Sequence, residues 1–332
     1  MQGNGEDRAN DAVLPAAARG AGFASPFDHA PWFDLLTAHG FAGEGREDAS
    51  GSAGKTTAWL PLRREGAGRY SGLANWYSFA IRPLYTGEGD RPAALAELFA
   101  RLRGKAARLT LYPVADAEQG GIAAALRAAG WWVTAAPKGD RHWLDLGGME
   151  HDAWWDSRPG ALRNTVKRKA KKGVVDIELR TAFDADAWAV YEQIYAASWK
   201  PEEGDRALLR AFAEAESARG TFRMGLARID GAPVAAQFWT VEEGTAFIHK
   251  LAHVEDSLKA SPGTLLTAEL FRHVIEVDGV QRVDFGTGND AYKRDWMNRH
   301  EPLWHIEAFN PARIAAWGPA LKAFARAMLG RE

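Results

Sequence analysis

The order of segments in the second half of the chain places the strongest limit on its fold. Two stretches with apolar residues at helical spacing come first, "DADAWAVYEQIYAASW" and "LLRAFAEAESARG". Three β-forming runs follow, "FRMGLARID", "PVAAQFWTVE" and "AFIHKLAHV", and short turns containing glycine join them as hairpins. A helix that opens at "SPGTLL" then precedes the strands "RVDF" and "LWHIEAF". This order predicts an α/β domain with mixed sheets and with helices packed on the sheet.

The first half of the chain repeats the alternation of helices and strands. Apolar residues recur at helical spacing in "RPAALAELFARLRGK", and strands are expected at "TTAWLPLRRE", "RLTLYPV" and "RHWLDLGG". A chain of 332 residues is long enough for about two domains. The sequence therefore predicts a disordered N-terminal tail at 1–25, one domain at 26–150, a second domain at 151–311 and a C-terminal amphipathic helix at 312–332.

Composition excludes several classes of protein and site. The chain has no cysteine, which excludes disulfides, thiolate metal ligands and a cysteine nucleophile. Its nine histidines are scattered without a ligand spacing such as H-E-x-x-H, so no metal site is expected. The formal net charge of -2 argues against a general nucleic-acid coat. No apolar run of about 18 residues occurs and the first residues do not read as a secretory signal, so the cytoplasm is the expected location.

Four motifs of the second half occur in an order that resembles a known family. The motifs "PVAAQFW", "HKLAH", "SPGTLL" and "DFGTGNDAYKRDW" are similar to those of GNAT-superfamily acyltransferases, in particular the CelD-like and FemAB-like group. The resemblance covers about residues 27 to 310 and implies two GNAT-like domains in tandem. It also implies N-acyltransferase activity with acetyl-CoA or another acyl-CoA as co-substrate. The first domain is expected to be degenerate, because it lacks a glycine-led phosphate turn between a hairpin and a helix.

The start of the "SPGTLL" helix is the predicted site for the phosphates of the acyl donor. The first amides of a helix have no partner within the helix, and the dipole there favours anions. The donor-binding residues predicted from this motif are Ser261, Pro262, Gly263, Thr264 and Leu265. The motif has less glycine than the Q/R-x-x-G-x-G/A pattern of the family, and an ordinary helix start capped by serine remains the alternative.

Three residues are predicted to move protons in the reaction. His249 lies on a strand beside the expected cleft and titrates near neutrality, so it is a candidate general base. Asp284 ends the strand "QRVDF" and would need a water or a raised pKa to act as a base. The resemblance implies a tyrosine beside the leaving sulfur, which Tyr292 matches best. A structural histidine and a tyrosine ring packed in the core are the alternatives.

A further set of residues is predicted to contact the acceptor. Gln237 lies in "PVAAQFWTV", which the resemblance matches to the splayed strand of the fold, and it either lines the acyl site or faces solvent. Lys250 follows His249 on one strand, so the two side chains are expected on opposite faces of the sheet. The predicted substrate-binding set is Trp199, Lys200, Gln237, Lys250, Asp290 and Lys293.

Two charged segments leave alternatives open. The run "ALRNTVKRKAKKG" has four possible roles. It is either a solvated helix face, a site for an anionic acceptor, a site for the donor's nucleotide phosphate or an RNA contact. FemAB-like relatives include enzymes that take their acyl group from aminoacyl-tRNA, which makes tRNA the alternative donor. The tail "ARIAAWGPALKAFARAMLG" is amphipathic, and it either docks on the body of the protein or lies on a membrane surface.

Three functions follow from these observations. The leading hypothesis is an acyl-CoA-dependent transferase that acylates an amine of a small molecule or a cell-envelope precursor, with its site in the second domain. The second is a FemAB-type transferase that depends on aminoacyl-tRNA. The third is a non-catalytic accessory protein of polysaccharide biosynthesis, which would bind no acyl donor.

Overall fold

The computed structural model describes residues 13–20 and 24–329. The strands in these residues are β1 (Arg19–Gly20), β2 (Gly45–Ala53), β3 (Thr56–Arg64), β4 (Arg69–Gly72), β5 (Leu84–Thr86), β6 (Arg108–Ala115), β7 (Trp132–Asp145), β8 (Asp176–Arg180), β9 (Phe222–Ile229), β10 (Ala232–Glu242), β11 (Thr245–His253), β12 (Arg282–Thr287) and β13 (Arg299–Phe309).

Helices alternate with these strands along the chain. The α-helices are α1 (Ala30–Ala38), α2 (Arg91–Arg103), α3 (Asp116–Ala128), α4 (His151–Asp156), α5 (Gly160–Ala170), α6 (Ala185–Ala196), α7 (Arg206–Ala218), α8 (Pro262–Glu276), α9 (Lys293–Trp296) and α10 (Trp317–Leu329). Short 3-10 helices span Pro26–Asp28, Glu255–Ala260 and Ile314–Ala316. None of the described helices combines the length and the hydropathy that a membrane crossing requires. The predicted α/β class with mixed sheets is confirmed.

The described chain divides into two compact units. The first contains residues 13–20, 27–138 and 304–329, and the second contains residues 24–26 and 139–303. The chain therefore passes from one unit to the other inside β7 and again inside β13.

These units differ from the sequence-based ranges in residues 139–150, which belong to the second unit, and at the C-terminal end. Residues 304–329 belong to the first unit because Ile306 and Ala308 are buried in its core. The side chain of Asn310 also donates to the carbonyls of Arg103 and Ala106, both at 2.8 Å. These contacts depend on residues that are far apart in sequence, which a segment-by-segment division of the chain does not capture.

The expected N-terminal tail is ordered in the part that the structure describes. Leu14 and Ala18 are buried, and the Leu14 amide donates to an oxygen of Asp48 at 2.9 Å. The strand β1 pairs with β5 in the antiparallel direction. Burial of two apolar side chains and strand pairing hold residues 13–20 in place, so the prediction of disorder is wrong for them. The remainder of the predicted tail, apart from 24 and 25, lies outside the described residues.

The first unit builds its sheet in the order β1-β5-β3-β4-β6, and β2 also pairs with β3. Most of these strands are antiparallel, but β4 and β6 run parallel. Helix α2 buries Leu95, Leu98 and Phe99 in the core. It lies directly on β2, because a Cβ atom added at Gly51 would come within 2.1 Å of the Leu98 nitrogen.

The second unit has the antiparallel order β8-β9-β10-β11, followed by β12. Strands β11 and β12 run parallel, and they pair only from 245 and 282 to 247 and 284. On the other side of β12, the second-unit part of β7 pairs antiparallel. The first unit repeats this arrangement, since α2 lies between the parallel strands β4 and β6 in sequence as α8 lies between β11 and β12.

Helices cover both faces of the second unit's sheet. Phe238 contacts Trp188 of α6 and Phe212 of α7, whereas the next residue, Trp239, contacts Phe271 of α8. Successive side chains of a strand point to opposite faces, so α6 and α7 pack on one face and α8 packs on the other. Helices α6 and α7 each begin at an aspartate whose carboxylate accepts from a backbone amide of the first turn.

Candidate active site

A cleft opens where β11 and β12 stop pairing. Beyond Phe247 and Asp284 the two parallel strands no longer pair, and a cavity of about 320 Å³ lies beside their ends. Its walls come from α5, β11, β12, the start of α8 and the segment around α9. The lining residues are Leu162, Trp199, Leu251, His253, Leu258, Ser261, Pro262, Gly263, Thr264, Thr267, Phe285, Tyr292, Asp295 and Trp296.

The start of α8 forms one wall of this cleft. Ser261 has a backbone φ of 56°, in the left-handed region that glycine adopts readily. Its side chain makes no capping hydrogen bond, so the alternative of an ordinary serine cap is wrong. The Leu265 amide donates to the Ser261 carbonyl at 3.1 Å, and the amides of Gly263 and Thr264 come before that first helical bond. Leu265 itself is buried and is not part of the cleft lining.

Gly263 lies close to His253. A Cβ atom added at Gly263 would stand 3.3 Å from His253 Nδ1. The glycine therefore allows the first turn of α8 to approach the end of β11. The backbone amides at this point remain close to the cleft rather than behind a side chain.

The corresponding helix of the first unit has a different start. The N-terminal residue Asp90 of α2 accepts a hydrogen bond from the Ala93 amide at 2.9 Å. A carboxylate thus already occupies the anion-favouring end of this helix. The start of α2 thus differs from that of α8, and the degenerate character of the first domain stays a prediction.

Gln237 is buried and neither lines the cleft nor faces solvent. Its Nε2 donates to Thr267 Oγ1 at 2.7 Å and to the Gly263 carbonyl at 3.2 Å. Its Oε1 accepts from Trp239 Nε1 at 2.9 Å. The side chain therefore ties β10 to the first turn of α8, which holds the helix start in position.

A β-bulge changes the expected positions of His249 and Lys250. Phe238 pairs with Lys250 and Trp239 with Ile248, so His249 is an extra residue in β11. Such a residue breaks the alternation of faces, and both side chains lie on the α6 and α7 face. The prediction that they face opposite sides is therefore wrong.

On that face His249 is enclosed by aromatic rings. Its ring centroid lies 5.1 Å from that of Phe212 and 5.0 Å from that of Phe238. One ring nitrogen, Nε2, is 2.8 Å from Thr240 Oγ1. Burial, and after it the charge of Lys250, lowers the pKa of His249 to about 3. His249 is thus neutral at pH 7 and is absent from the lining of the cleft.

Asp284 is fully buried in an ion pair with Arg141. Arg141 Nε donates to Asp284 Oδ2 at 3.0 Å, its terminal nitrogen contacts the same oxygen, and the Gly286 amide donates to Oδ1 at 2.9 Å. Burial alone would raise the pKa of Asp284, but the charge and hydrogen bonds of Arg141 hold it below its ordinary value. A carboxylate in this environment stays ionised and anchors the end of β12, and it has no raised pKa with which to act as a base.

Tyr292 lines the cleft and is partly exposed. Its ring packs edge-on against Phe285 with the centroids 5.5 Å apart. Burial, and after it the charge of Asp290, raises the pKa of Tyr292 well above its ordinary value. The phenol therefore keeps its proton across the neutral range.

Trp199 and the histidine at the end of β11 form another part of the lining. The ring centroids of Trp199 and His253 are 4.4 Å apart, and half of the tryptophan is exposed. Burial, and after it the charge of Lys200, lowers the pKa of His253. Sequence reasoning missed His253. Its position at a strand end, eight residues before the "SPG" turn, was the available signal.

The predicted acceptor lysines have different environments. Lys200 lies near the Trp199 ring, at 5.8 Å, and burial followed by the charge of Lys250 lowers its pKa to about 8. Lys250 pairs with Glu203 at 2.8 Å. Lys293 is buried and donates to the Thr287 carbonyl at 2.6 Å. Neither Lys250 nor Lys293 lines the cleft, whereas Trp199 beside Lys200 does.

Asp290 is exposed and sits close to Lys293. The Lys293 nitrogen is 3.7 Å from Asp290 Oδ2. Asp290 does not line the cleft itself, but its charge acts on the neighbouring Tyr292.

The basic run forms α5, which contributes Leu162 to the cleft lining. Lys169 donates to the carbonyl of Lys259, in the 3-10 helix that leads into α8. Four other cations of the run are exposed, Lys167, Arg168, Lys171 and Lys172, whereas Arg163 is half-buried. A cationic helix therefore adjoins the segment that begins the anion-favouring end of α8.

One group of possible metal ligands occurs in the described residues. His151, Asp152 and Glu276 each bring a ligand atom within 4.8 Å of the others. Both carboxylates are exposed, and exposed acidic groups commonly occur without an ion. Glu276 is the last residue of α8, so the group lies at the end of this helix opposite the cleft.

Comparison with known families identifies part of the chain. Residues 160–294 match the family model described as an acetyltransferase (GNAT) domain. No sequence match was found among curated proteins. The matched segment runs from α5 to α9 and contains β11, α8 and β12, which surround the cleft.

Several solved structures share the fold. FemX has a TM-score of 0.63 at 11% identity, over 86% of this chain and 92% of its own. The C-terminal domain of a putative lysylphosphatidylglycerol synthetase from Agrobacterium fabrum has a TM-score of 0.56 at 16% identity, over 89% of this chain and 91% of its own. L-PGS from Bacillus licheniformis has a TM-score of 0.56 at 12% identity, over 88% and 95% respectively. Residues 160–294 are therefore a domain of the GNAT acyltransferase family, and the chain shares the fold of FemX over 86% of its length.

Proposed function

We propose that the protein transfers an acyl group from acyl-CoA to an amine in the cleft beside β11 and β12. The observation that carries this proposal is the start of α8, where the amides of Gly263 and Thr264 precede the first helical hydrogen bond at a wall of the cleft. Free amides and the helix dipole together favour a phosphate group. The GNAT family match of residues 160–294 supports the same reaction class.

The residues around the cleft suit a phosphate-bearing donor. The uncapped Ser261 leaves the helix end available, and the cations of α5 and Lys259 adjoin it. A cavity of about 320 Å³ is within the size range of small-ligand sites. When bound, the donor would supply a thioester carbonyl for attack by the amine, and Ser261 to Thr264 would hold its phosphates.

We assign the proton transfers to two residues of the lining. His253 is neutral at pH 7 because its pKa is lowered, so it is able to take the proton that the attacking amine releases. Tyr292 keeps its proton because its pKa is raised, so it is able to protonate the departing thiolate. The bond from nitrogen to the acyl carbon forms as the bond from carbon to sulfur breaks. His253 gains the proton of the amine and the thiolate gains the proton of Tyr292, so the total charge of the site does not change. In this scheme Asp284 and His249 stabilise the fold and transfer no proton.

Trp199 and Lys200 are the proposed contacts to the acceptor. The half-exposed Trp199 ring offers an apolar surface, and Lys200 lies against it. We propose an acceptor amine on a small molecule or an envelope precursor, acylated in the cytoplasm.

Aminoacyl-tRNA is the second candidate donor. The observation that favours it is α5, which contributes Leu162 to the cleft lining and carries exposed cations that would bind a phosphate backbone. FemX, L-PGS and the C-terminal domain of a putative lysylphosphatidylglycerol synthetase share the fold, and the last of these names refers to a lysyl group.

Calorimetric titration with acetyl-CoA and with a longer acyl-CoA tests the leading proposal. The Gly263→Trp variant should abolish binding, because its side chain would fill the space beside His253. The matched control is Gly121→Trp, at a helix position where an added Cβ meets nothing within 4 Å. Binding by the control and not by Gly263→Trp supports the site.

Absence of binding by the unmodified protein overturns the acyl-CoA proposal. Salt-sensitive binding of aminoacyl-tRNA would then support the second candidate, and no binding of either would favour a non-catalytic role.

A further inference from the structure

Helix α10 docks on the first unit through its small side chains. Ala316, which precedes the helix, and Ala320 and Ala323 within it are buried with Phe309 in one cluster. The amphipathic pattern suggested docking through the large apolar residues. The structure instead turns the alanines inward, because they allow the helix to lie close to Phe309.

The large apolar residues of α10 therefore face outward. Trp317, Leu321, Phe324 and Met328 follow one another at intervals of four, three and four residues, which places them on one stripe of the helix. Leu321 is 73% exposed, Met328 is 72% exposed, and Ile314 just before the helix is 83% exposed. Isolated exposed apolar residues are ordinary on protein surfaces, but a contiguous stripe indicates a binding surface.

The stripe continues onto Trp132. The ring centroids of Trp132 and Trp317 are 6.3 Å apart. Both rings line a groove of about 350 Å³ with Leu321 and Phe324. We call Trp132, Ile314 and the four residues of the stripe the apolar surface of the first unit.

The segments around this surface carry cations and no acids. Residues 98–115, 119–139 and 308–329 contain no aspartate or glutamate. Arg313 contacts the carbonyl of Gly104, and Arg103 contacts both Asn310 and the carbonyl of Ala129. The three segments therefore meet near the start of α10. Glu307 pairs with Arg108 and Arg326. Within the described chain, no carboxylate is in an ion pair with Arg127, Arg313 or Lys322.

We propose that the apolar surface of the first unit lies on an anionic lipid bilayer. A helix of 13 residues is about 20 Å long, which is too short to cross a bilayer but suits the plane of the interface. Trp132 and Trp317 have the amphipathic rings that favour the headgroup level. The charges of Arg313, Lys322 and Arg127 attract anionic headgroups. Apolar contact alone would give no such preference for anionic lipid.

Charge decides between a bilayer and a second copy of the chain as the occupant. Two copies docked through this surface would bring the same uncompensated cations together, and like charges at an interface oppose association. An anionic bilayer neutralises them. The inference does not rest on the proposed acyl transfer, because none of its residues lines the cleft.

Vesicle flotation with the full chain tests the proposal. The probes are vesicles of pure phosphatidylcholine and vesicles that contain phosphatidylglycerol as about a third of the lipid. The protein should float with the anionic vesicles and much less with the neutral ones. The double variant Leu321→Gln/Met328→Gln should lose at least 10-fold in vesicle affinity, and Arg313→Gln/Lys322→Gln should lose the preference for anionic lipid.

The matched control is Val277→Gln, which replaces an exposed aliphatic residue of the second unit and should leave flotation unchanged. Unfolding curves of all variants check that they fold. Equal flotation of the Leu321→Gln/Met328→Gln variant and the unmodified protein overturns the proposal, as does absence of flotation with either vesicle. A dimer in gel filtration that this double variant dissociates would assign the surface to a second copy and would also overturn it.

Discussion

The rings of Trp199 and His253 lie side by side at the cleft, with their centroids 4.4 Å apart. His253 ends β11 on the α8 side, and the first turn of α8 approaches its Nδ1 atom. Its pKa is lowered by burial and by the charge of Lys200, so the imidazole is neutral at pH 7. This position and this protonation state are those that a general base for an amine requires.

The first prediction concerns the variant His253→Gln. Loss of the base should lower kcat by about 10²-fold, measured by release of free thiol from acyl-CoA with an amine acceptor. In the unmodified protein the acid limb of the kcat/KM profile should lie below about pH 6.5, because the pKa of His253 is below its ordinary value. The control His300→Gln removes an exposed histidine that pairs with Asp140. Equal loss of activity in the control, or an unchanged acid limb in His253→Gln, would contradict the assignment.

The second prediction is that His249 affects stability with pH and leaves catalysis unchanged. Its folded pKa is about 3, whereas an unfolded histidine has a pKa of about 6.5. Between these values the unfolded chain binds a proton that the folded chain does not, so stability falls as the pH falls from about 6.5 towards 3.

The variant His249→Phe should therefore flatten the pH dependence of the free energy of unfolding in this window. Loss of the contact with Thr240 should lower stability at pH 7 by about 1 kcal/mol. Urea unfolding at several pH values measures both effects. A large fall in kcat in a folded His249→Phe protein would contradict this prediction and make His249 a candidate base again.

The third prediction concerns the buried pair of Arg141 and Asp284. Replacing Asp284 by alanine leaves the buried guanidinium without its main partner, which should destabilise the protein by about 3 to 5 kcal/mol. Because the pKa of Asp284 is lowered in the folded state, its contribution is present above the unfolded pKa of about 3.9 and is lost as the pH falls through the folded value. Asp152→Asn, at a side chain that is 96% exposed, should change stability by less than about 0.5 kcal/mol. A similar small effect for Asp284→Ala would show that the pair contributes little.

Local chemistry made parts of this site predictable from sequence. Proline and glycine at 262 and 263 mark a helix start whatever surrounds it, and apolar spacing marks the body of α8. The bulge at His249 was not predictable, because a strict period of two assumes that no extra residue enters the strand. Arg141 is 143 residues away from Asp284, and no local pattern connects them.

The same limit applies to α10. Its amphipathic spacing predicts a helix and an apolar stripe, but the stripe has two possible partners. Only the packing of Ala320 and Ala323 against Phe309 decides that the small side chains turn inward. Tertiary contacts thus determine which face of a helix is left for a partner.

The fourth prediction tests the acid role of Tyr292. The Tyr292→Phe variant keeps the ring contact with Phe285 and loses only the hydroxyl. It should lower kcat with acyl-CoA by about 10²-fold, because the thiolate leaves without a proton. Tyr112→Phe, in the first unit, is the control that removes a hydroxyl that is not part of the cleft lining.

A change of leaving group separates proton transfer from a structural role for Tyr292. An aryl thioester releases a more acidic thiol, which needs less protonation as it departs. The loss of kcat in Tyr292→Phe should therefore shrink to a few-fold with the aryl thioester. An equal loss with both thioesters would mean that the hydroxyl positions the substrate or supports the fold, because neither role depends on the acidity of the departing thiol. The raised pKa of Tyr292 predicts in addition that no alkaline limb from this residue appears up to about pH 10, where an ordinary tyrosine would titrate.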